Sequence, residues 1–245
     1  MTTPTAPRLP TGSSGPTRCA GALLAAAALT AGCGNVTQLH VDDRSSPIVS
    51  ARAVHRFGGG PGGAGLELEV SSVRARGEQR LSAFESVSVG TQSVTGPALL
   101  VHNARVQHAQ LVYNHRLFAG RPAELEWFVG AAWVQATWES VSFNTADPRL
   151  SNRTNWYGPA GGVLGRLRLA PLLALELRYS AAIDLSTRRD GASRNSTEAA
   201  FAFRAAPALL LRAGLGESRS WVQPDSSSEL AVRVRGPFVS LGLDF

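Results

Sequence analysis

Residues 173–185 read Leu-Ala-Leu-Glu-Leu-Arg-Tyr-Ser-Ala-Ala-Ile-Asp-Leu and alternate strictly between two kinds of side chain. The odd-numbered positions, from Leu173 to Leu185, are all apolar or aromatic. The even-numbered positions are small or charged and include Glu176 and Arg178. Because successive side chains of a β-strand point to opposite faces, a period of two predicts a strand with two unlike faces.

The same alternation recurs along the rest of the chain and predicts an all-β protein with eight strands. The other seven segments lie near residues 66–71, 110–117, 125–133, 163–169, 201–205, 209–216 and 230–245. Segments 49–57 and 81–89 alternate weakly, so ten strands is the alternative count. In the last segment the apolar phase changes at Gly236-Pro237, which predicts a β-bulge.

Short and long connections alternate between these strands. Residues 119–122, 170–172 and 206–208 are short and contain Pro, whereas 76–103, 139–156, 186–197 and 222–229 are longer and polar. A transmembrane barrel has short periplasmic turns and longer extracellular loops. The pattern therefore favours an antiparallel up-and-down β-barrel over residues 62–245, with its apolar face in lipid and both termini on the periplasmic side. A soluble barrel with that face inside is the other interpretation.

The C-terminus carries a resemblance to a known family. Residues 62–245, ending Leu241-Gly242-Leu243-Asp244-Phe245, resemble the small bacterial outer-membrane barrels of OmpA/OmpX type. In that family the last strand ends in an aromatic residue recognised by the barrel-insertion machinery, which implies an insertion signal at Phe245. Two aromatic girdles are also expected: Trp138, Trp156, Tyr157 and Trp221 near the long loops, and Trp127, Phe118 and Phe245 near the short turns.

The first 32 residues have the pattern of a signal peptide. Arg8 and Arg18 precede the short apolar stretch 20–29, which is too short for a stable bilayer anchor. The stretch Leu29-Thr30-Ala31-Gly32-Cys33 resembles a bacterial lipobox and implies lipidation of Cys33, with ordinary cleavage near Ala31 as the alternative. Residues 33–61 are polar and Gly-rich, which predicts a tether.

The small or charged faces of the predicted strands carry a set of ionisable residues, which we expect inside the barrel as a structural ladder of charge pairs. The set is Glu67, Glu69, Glu126, Arg166, Arg168, Glu176, Arg178, Arg204, Arg212, Arg233 and Arg235. Closure of the barrel predicts that Arg233 and Arg235 face Glu67 and Glu69. Arg166 and Arg168 are expected between Glu126 and Glu176.

Composition and motifs argue against several kinds of site. All 24 Lys-plus-Arg residues are Arg, and the net charge of +6 is spread along the chain, so no nucleic-acid face is predicted. Both cysteines, Cys19 and Cys33, lie at the N-terminus, and the five His residues form no metal-ligand pattern. We therefore expect no catalytic residue, no cofactor and no metal.

These features predict an outer-membrane lipoprotein barrel, non-enzymatic, with a structural or surface-interaction role carried by its long extracellular loops. Its partners would be outer-membrane lipid, the insertion machinery and an unidentified extracellular or envelope component. One alternative is a soluble periplasmic lipoprotein barrel that binds an apolar ligand. A second is an outer-membrane lipid-modifying enzyme such as a lipid hydrolase.

Overall fold

A computed structural model describes residues 37–57, 63–89, 92–120, 122–144, 147–185, 191–225 and 228–245. These residues form β-strands and include no helix that is long and apolar enough to cross a bilayer. The strands are β1 (Thr37–Asp43), β2 (Ile48–Phe57), β3 (Ala64–Leu81), β4 (Ser86–Val89), β5 (Gln92–Thr95), β6 (Ala98–Ala119), β7 (Ala123–Ser142), β8 (Leu150–Ala170), β9 (Leu173–Ile183), β10 (Ala192–Ala206), β11 (Leu209–Asp225) and β12 (Ser228–Asp244).

The chain closes into a β-barrel, which confirms the predicted fold class. From β3 the wall runs through β6, β7, β8, β9, β10 and β11 to β12, each strand antiparallel to the next, and β2 pairs with both β3 and β12. β1 pairs in parallel with residues 228–234 of β12, and β2 pairs in parallel with residues 238–244. β1 and β2 therefore lie end to end and share one position in a nine-stranded wall.

Nine strands replace the predicted eight, because residues 37–57, expected to belong to the tether, are mostly strand. The apolar pattern of β2 is weak in the sequence, since Arg52 and Arg56 interrupt it. An odd count also separates the ends of the described barrel. Thr37 pairs with Ser228 at one end, whereas Phe245 exchanges backbone hydrogen bonds with β2 near the short turns. The prediction that both termini share one side is therefore wrong.

The two faces of the wall exchange polarity halfway along the barrel. On β3, Leu66, Leu68 and Val70 are exposed on the outside, whereas Glu67 and Glu69 are buried inside. Beyond Ser72 the pattern reverses: the inward residues Val73, Ala75 and Leu81 are apolar and the outward ones are polar. We call the part next to the turns at 120–122, 171–172 and 207–208 the short-turn half, and the remainder the long-loop half.

On β3, β6, β7 and β8 the exchange follows strand register. Val70, Ala109, Trp133 and Tyr157 are register neighbours, and the next three outward residues on each of these strands are polar. The next outward row is Ser72, Gln107, Gln135 and Asn155, and Gln135 donates a 2.9 Å hydrogen bond to Asn155. Farther along, Val101 and Val141 pair as half-buried outward residues.

The outward apolar side chains of the short-turn half are termed the apolar belt. It includes Val49, Leu66, Leu68, Val70, Leu111, Tyr113, Leu125, Val129, Trp133, Tyr157, Val163, Leu177, Tyr179, Phe201, Leu211, Leu215, Val239, Leu241 and Leu243.

The long-loop half has an apolar core. Trp138 and Trp156 are buried in it, so they do not join an outer aromatic girdle as predicted. The hairpin β4–β5 contributes Val87 and Val94 to the same core. Inward apolar packing continues along β12 as Leu230, Val232 and Val234. β12 keeps one register with β11 through Gly236-Pro237, so the predicted bulge there is wrong. The apolar residues change parity at this point because the apolar face of the strand changes from inside to outside.

Candidate functional site: the charged interior

The interior of the short-turn half contains a buried cluster of charges on β2, β3 and β9. Arg178 contacts Glu67 at 2.6 Å and Glu69 at 3.0 Å. Arg52 lies 3.5 Å from Glu67 and 3.7 Å from Glu69. The four side chains are at most 3% exposed, so each buried carboxylate faces two guanidinium groups. Such pairing offsets much of the cost of removing charges from water.

This cluster spans the lumen, because β3 and β9 are separated in the wall by β6, β7 and β8. The Arg178 guanidinium also lies 4.1 Å from the ring centroid of Phe128, a cation–π contact. The Phe128 ring lies over Gly162, where a Cβ atom would come within 2.5 Å of it. These side chains fill the middle of the barrel.

A second cluster lies closer to the short turns. Glu176 contacts Arg166 at 2.7 Å and Arg212 at 2.8 Å. Glu124 contacts Arg166 at 3.1 Å and also pairs with Arg168. Arg166 therefore contacts Glu176 as predicted, but the carboxylate on its other side, which also pairs with Arg168, is Glu124 and not the predicted Glu126.

The lumen opens at this end. Glu126 lies 3.3 Å from Arg56 and 4.0 Å from Arg116. Asp244 lies 3.4 Å from Arg56 and 3.7 Å from Arg204. Beside them a depression of about 270 Å³ is lined in part by Arg166, Arg168 and Arg204.

Most of the predicted interior residues lie where expected. Buried inside are Glu67, Glu69, Glu126, Glu176, Arg178 and Arg212, with Arg166 mostly buried. Arg168 and Arg204 lie at the mouth with side chains 48% and 43% exposed.

Arg233 and Arg235 differ from the prediction. They lie on the outside of the long-loop half and contact Glu217 at 2.9 and 2.8 Å. In the long-loop half the apolar face of β12 points inward. The polar face, which carries Arg233 and Arg235, therefore points outward. The partners of Glu67 and Glu69 are Arg52 and Arg178, in place of the predicted Arg233 and Arg235.

Sequence reasoning missed several interior charges. These are Arg52, Arg56, Arg116, Glu124, Arg194 and Glu198. Residues an even number of positions apart on a strand point to the same face. Glu124 stands in this relation to Glu126, and Arg194 and Glu198 stand in it to Ala202. Extending the predicted alternation along these strands would have found all three charges. Cys33, the predicted lipidation site, lies outside the described residues.

Two Ser–His pairs also face the interior. His102 Nδ1 lies 2.6 Å from Ser140 Oγ, and His102 Nε2 lies 3.2 Å from Gln79 Oε1. His108 Nδ1 lies 3.4 Å from Ser71 Oγ. Burial lowers the pKa of His102 and favours its neutral form. His102 and Ser140 are at most 1% exposed, so their geometry supports internal hydrogen bonding and offers no approach for a substrate.

Within the described residues, no group of three or more His, Cys, Asp or Glu side chains is arranged to hold a metal ion. Comparisons of the chain with protein-family models, curated proteins and solved structures found no match.

Proposed function

We propose that the protein is an integral β-barrel of a bacterial outer membrane, with its short-turn half in the bilayer and its long-loop half projecting outside. The observation that carries this proposal is the exchange of polarity along register rows of β3, β6, β7 and β8. A soluble barrel has no reason to expose apolar side chains on neighbouring strands up to a common level. A bilayer boundary supplies that reason, since hydrocarbon favours apolar side chains and water favours polar ones.

The dimensions of the apolar belt support the same proposal. On β7 it runs from Leu125 to Trp133, and on β9 from Leu173 to Ile183. A tilted strand needs roughly 9–11 residues to cross a bilayer. The closed wall also pairs backbone groups between strands, as hydrocarbon requires. By contrast, β6, β7 and β8 contain 22, 20 and 21 residues and continue well beyond the belt.

For the long-loop half we propose a structural or surface-interaction role. Its core is filled by its own side chains and by the hairpin β4–β5, which supports a rigid projecting body rather than a container for an apolar ligand. Because β7 extends to Ser142 and β8 begins at Leu150, strand residues form much of the outer wall of this half. Lipidation at Cys33 and an insertion signal at Phe245 belong to the same proposal.

Site-directed labelling tests which face meets lipid. A fluorophore on Leu177→Cys should be quenched by lipid-phase quenchers and protected from aqueous ones, because Leu177 is 58% exposed within the belt. A label on Ser180→Cys, facing the interior of the same strand, should show little lipid quenching. A label on Ser151→Cys, exposed outside on the long-loop half and farther from the belt, should be quenched only from water. Aqueous quenching at Leu177 would contradict the proposal.

Carbonate extraction separates insertion from anchoring by lipid. Both the wild type and Cys33→Ser should stay in the membrane pellet if the barrel itself spans the bilayer. Release of Cys33→Ser alone would instead support a soluble barrel held only by an acyl anchor. Mass measurement of the purified wild type checks whether Cys33 carries acyl chains.

A further inference from the structure

One wall of the long-loop half carries three arginines on a single register row. Arg74 on β3 pairs with Arg105 on β6, Arg105 pairs with Thr137 on β7, and Thr137 pairs with Arg153 on β8. We call Arg74, Arg105 and Arg153 the arginine row. All three side chains are exposed on the outside. Like charges directly opposite each other on neighbouring strands are destabilising, so Arg74 opposite Arg105 needs a neutralising partner.

The described part of the chain supplies no such partner. None of the three arginines takes part in the ion pairs found among the described residues. Glu139, one row further from the belt, contacts Arg149 at 3.6 Å. On the wall formed by β11 and β12 the opposite holds. There Glu217 contacts Arg219, Arg233 and Arg235, so each of these three guanidinium groups has a carboxylate beside it.

The arginine row lies just beyond the apolar belt. Val70 and Arg74 are on the same strand, with only Ser72 between them on the outer face. At about 3.3 Å per residue and a tilt of about 40°, the Cα atom of Arg74 lies roughly 10 Å beyond the belt edge. The headgroup region of a leaflet is roughly 5–8 Å deep. An arginine side chain can reach back across the difference while its guanidinium stays in the polar layer.

The surface between the strands is concave here. A depression of about 290 Å³ is lined in part by three arginines and one carboxylate, namely Arg74, Arg76, Arg105 and Glu139, together with Asn103 and Thr137. Arg153 lies outside this lining. Guanidinium groups bind phosphate through paired N–H donors, and amide and hydroxyl groups add further donors. The donor set and its position therefore suit a phosphate group held at the edge of a bilayer.

We propose that the arginine row binds the phosphate groups of anionic lipids in the leaflet on the long-loop side. The proposal rests on the membrane insertion proposed above and adds to it a defined lipid-binding surface. The occupant is a lipid rather than free phosphate, because the row adjoins the lipid-facing belt. Bound phosphate would relieve the repulsion between Arg74 and Arg105.

Native mass spectrometry of the purified barrel in detergent tests this binding. The probes are phosphatidic acid and diacylglycerol with identical acyl chains, which differ only in the phosphate group. The test variant is R74Q/R105Q/R153Q. The matched control is R219Q/R233Q/R235Q, which removes three outward arginines that each already contact Glu217. Carbonate extraction of both variants reports membrane insertion independently.

The wild type should retain phosphatidic acid and should not retain diacylglycerol. The test variant should bind phosphatidic acid roughly 100-fold more weakly, at about fivefold per arginine, while the control keeps most of its affinity. Equal affinities of the test variant and the wild type, with both inserted, would overturn the lipid site and leave the proposed function intact. Failure of the wild type to insert would overturn both. Displacement of bound lipid by millimolar inorganic phosphate would instead assign the row to a soluble anion.

Discussion

Each carboxylate of the two interior clusters contacts two arginines. Glu67 and Glu69 share Arg52 and Arg178, and Glu176 contacts Arg166 and Arg212. Shared contacts of this kind make the interior vulnerable to single substitutions. Removing one carboxylate takes a partner from two buried cations at once, and breaking a buried pair typically costs about 3–5 kcal/mol.

Glu176→Ala should therefore lower the free energy of unfolding by a few kcal/mol, because Arg166 and Arg212 lose their shared partner. Glu139→Ala is the control, since its contact with Arg149 is exposed to solvent and such pairs contribute about 0–1 kcal/mol. Urea unfolding of the detergent-solubilised barrel measures both. Equal unfolding midpoints for the two variants would show that Glu176 does not stabilise the interior.

Asp43 stabilises the corner where β1 passes into β2. Its carboxylate accepts hydrogen bonds from the backbone N–H groups of Ser45, Ser46 and Arg76 at 2.9, 3.0 and 2.9 Å. Burial alone would raise the pKa of Asp43, but these hydrogen bonds outweigh it and hold the pKa well below its usual range. The charged form is thus favoured in the folded protein.

The pH dependence follows from that lowered pKa. The contribution of Asp43 is fully present above its unfolded value of about 3.9 and is lost as the pH falls through the lower folded value. Asp43→Asn should be less stable than the wild type at pH 7, and the difference should shrink below about pH 4. Unfolding free energies of both proteins across this range provide the test. A difference that is constant with pH would contradict the role of the charge.

At the scale of the strand, β12 shows how one element serves two environments. Leu230, Val232 and Val234 face the core of the long-loop half, whereas Val239, Leu241 and Leu243 face outward in the belt. The backbone register is continuous between the two sets. The change of apolar parity therefore marks a change of surroundings and not an inserted residue.

Leu230→Ala should lower the free energy of unfolding by about 2–5 kcal/mol, because Leu230 is 1% exposed and truncation leaves a cavity. Arg233→Ala, on the outer face of the same strand, should cost less than about 1 kcal/mol. Thermal or urea unfolding in detergent compares them. A small loss for Leu230→Ala would indicate that the side chain does not pack inside.

At the scale of the whole molecule, the odd strand count sets the topology. β2 and β12 run parallel, so Thr37 lies at the long-loop end and Phe245 at the short-turn end. The described barrel therefore begins and ends at opposite ends of its wall.

Epitope insertion tests this topology in intact cells. A tag placed directly before Thr37 should be detected by antibody without permeabilisation, because it lies on the outer side in the proposed orientation. A second tag, inserted between Pro207 and Ala208 in a short turn, should be detected only after permeabilisation. Detection of both tags only after permeabilisation would favour an even number of strands.

Three features of this chain followed from the sequence alone. They are the β-barrel fold, the positions of the main strands near the short turns, and the placement of charges such as Glu67 and Glu176 inside. Period-two alternation is a local property, so it can be read from consecutive residues such as 173–185.

Only the tertiary structure decided the ninth strand, the exchange of faces and the partners of each charge. β2 pairs with residues of β12 almost two hundred positions away, and no local pattern specifies that parallel contact. Arg233 and Arg235 lie on the polar face of β12. That face is outside only because Leu230, Val232 and Val234 on the other face pack into the core of the long-loop half. Alternation shows that two faces differ, but which face is inside depends on what the assembled strands enclose.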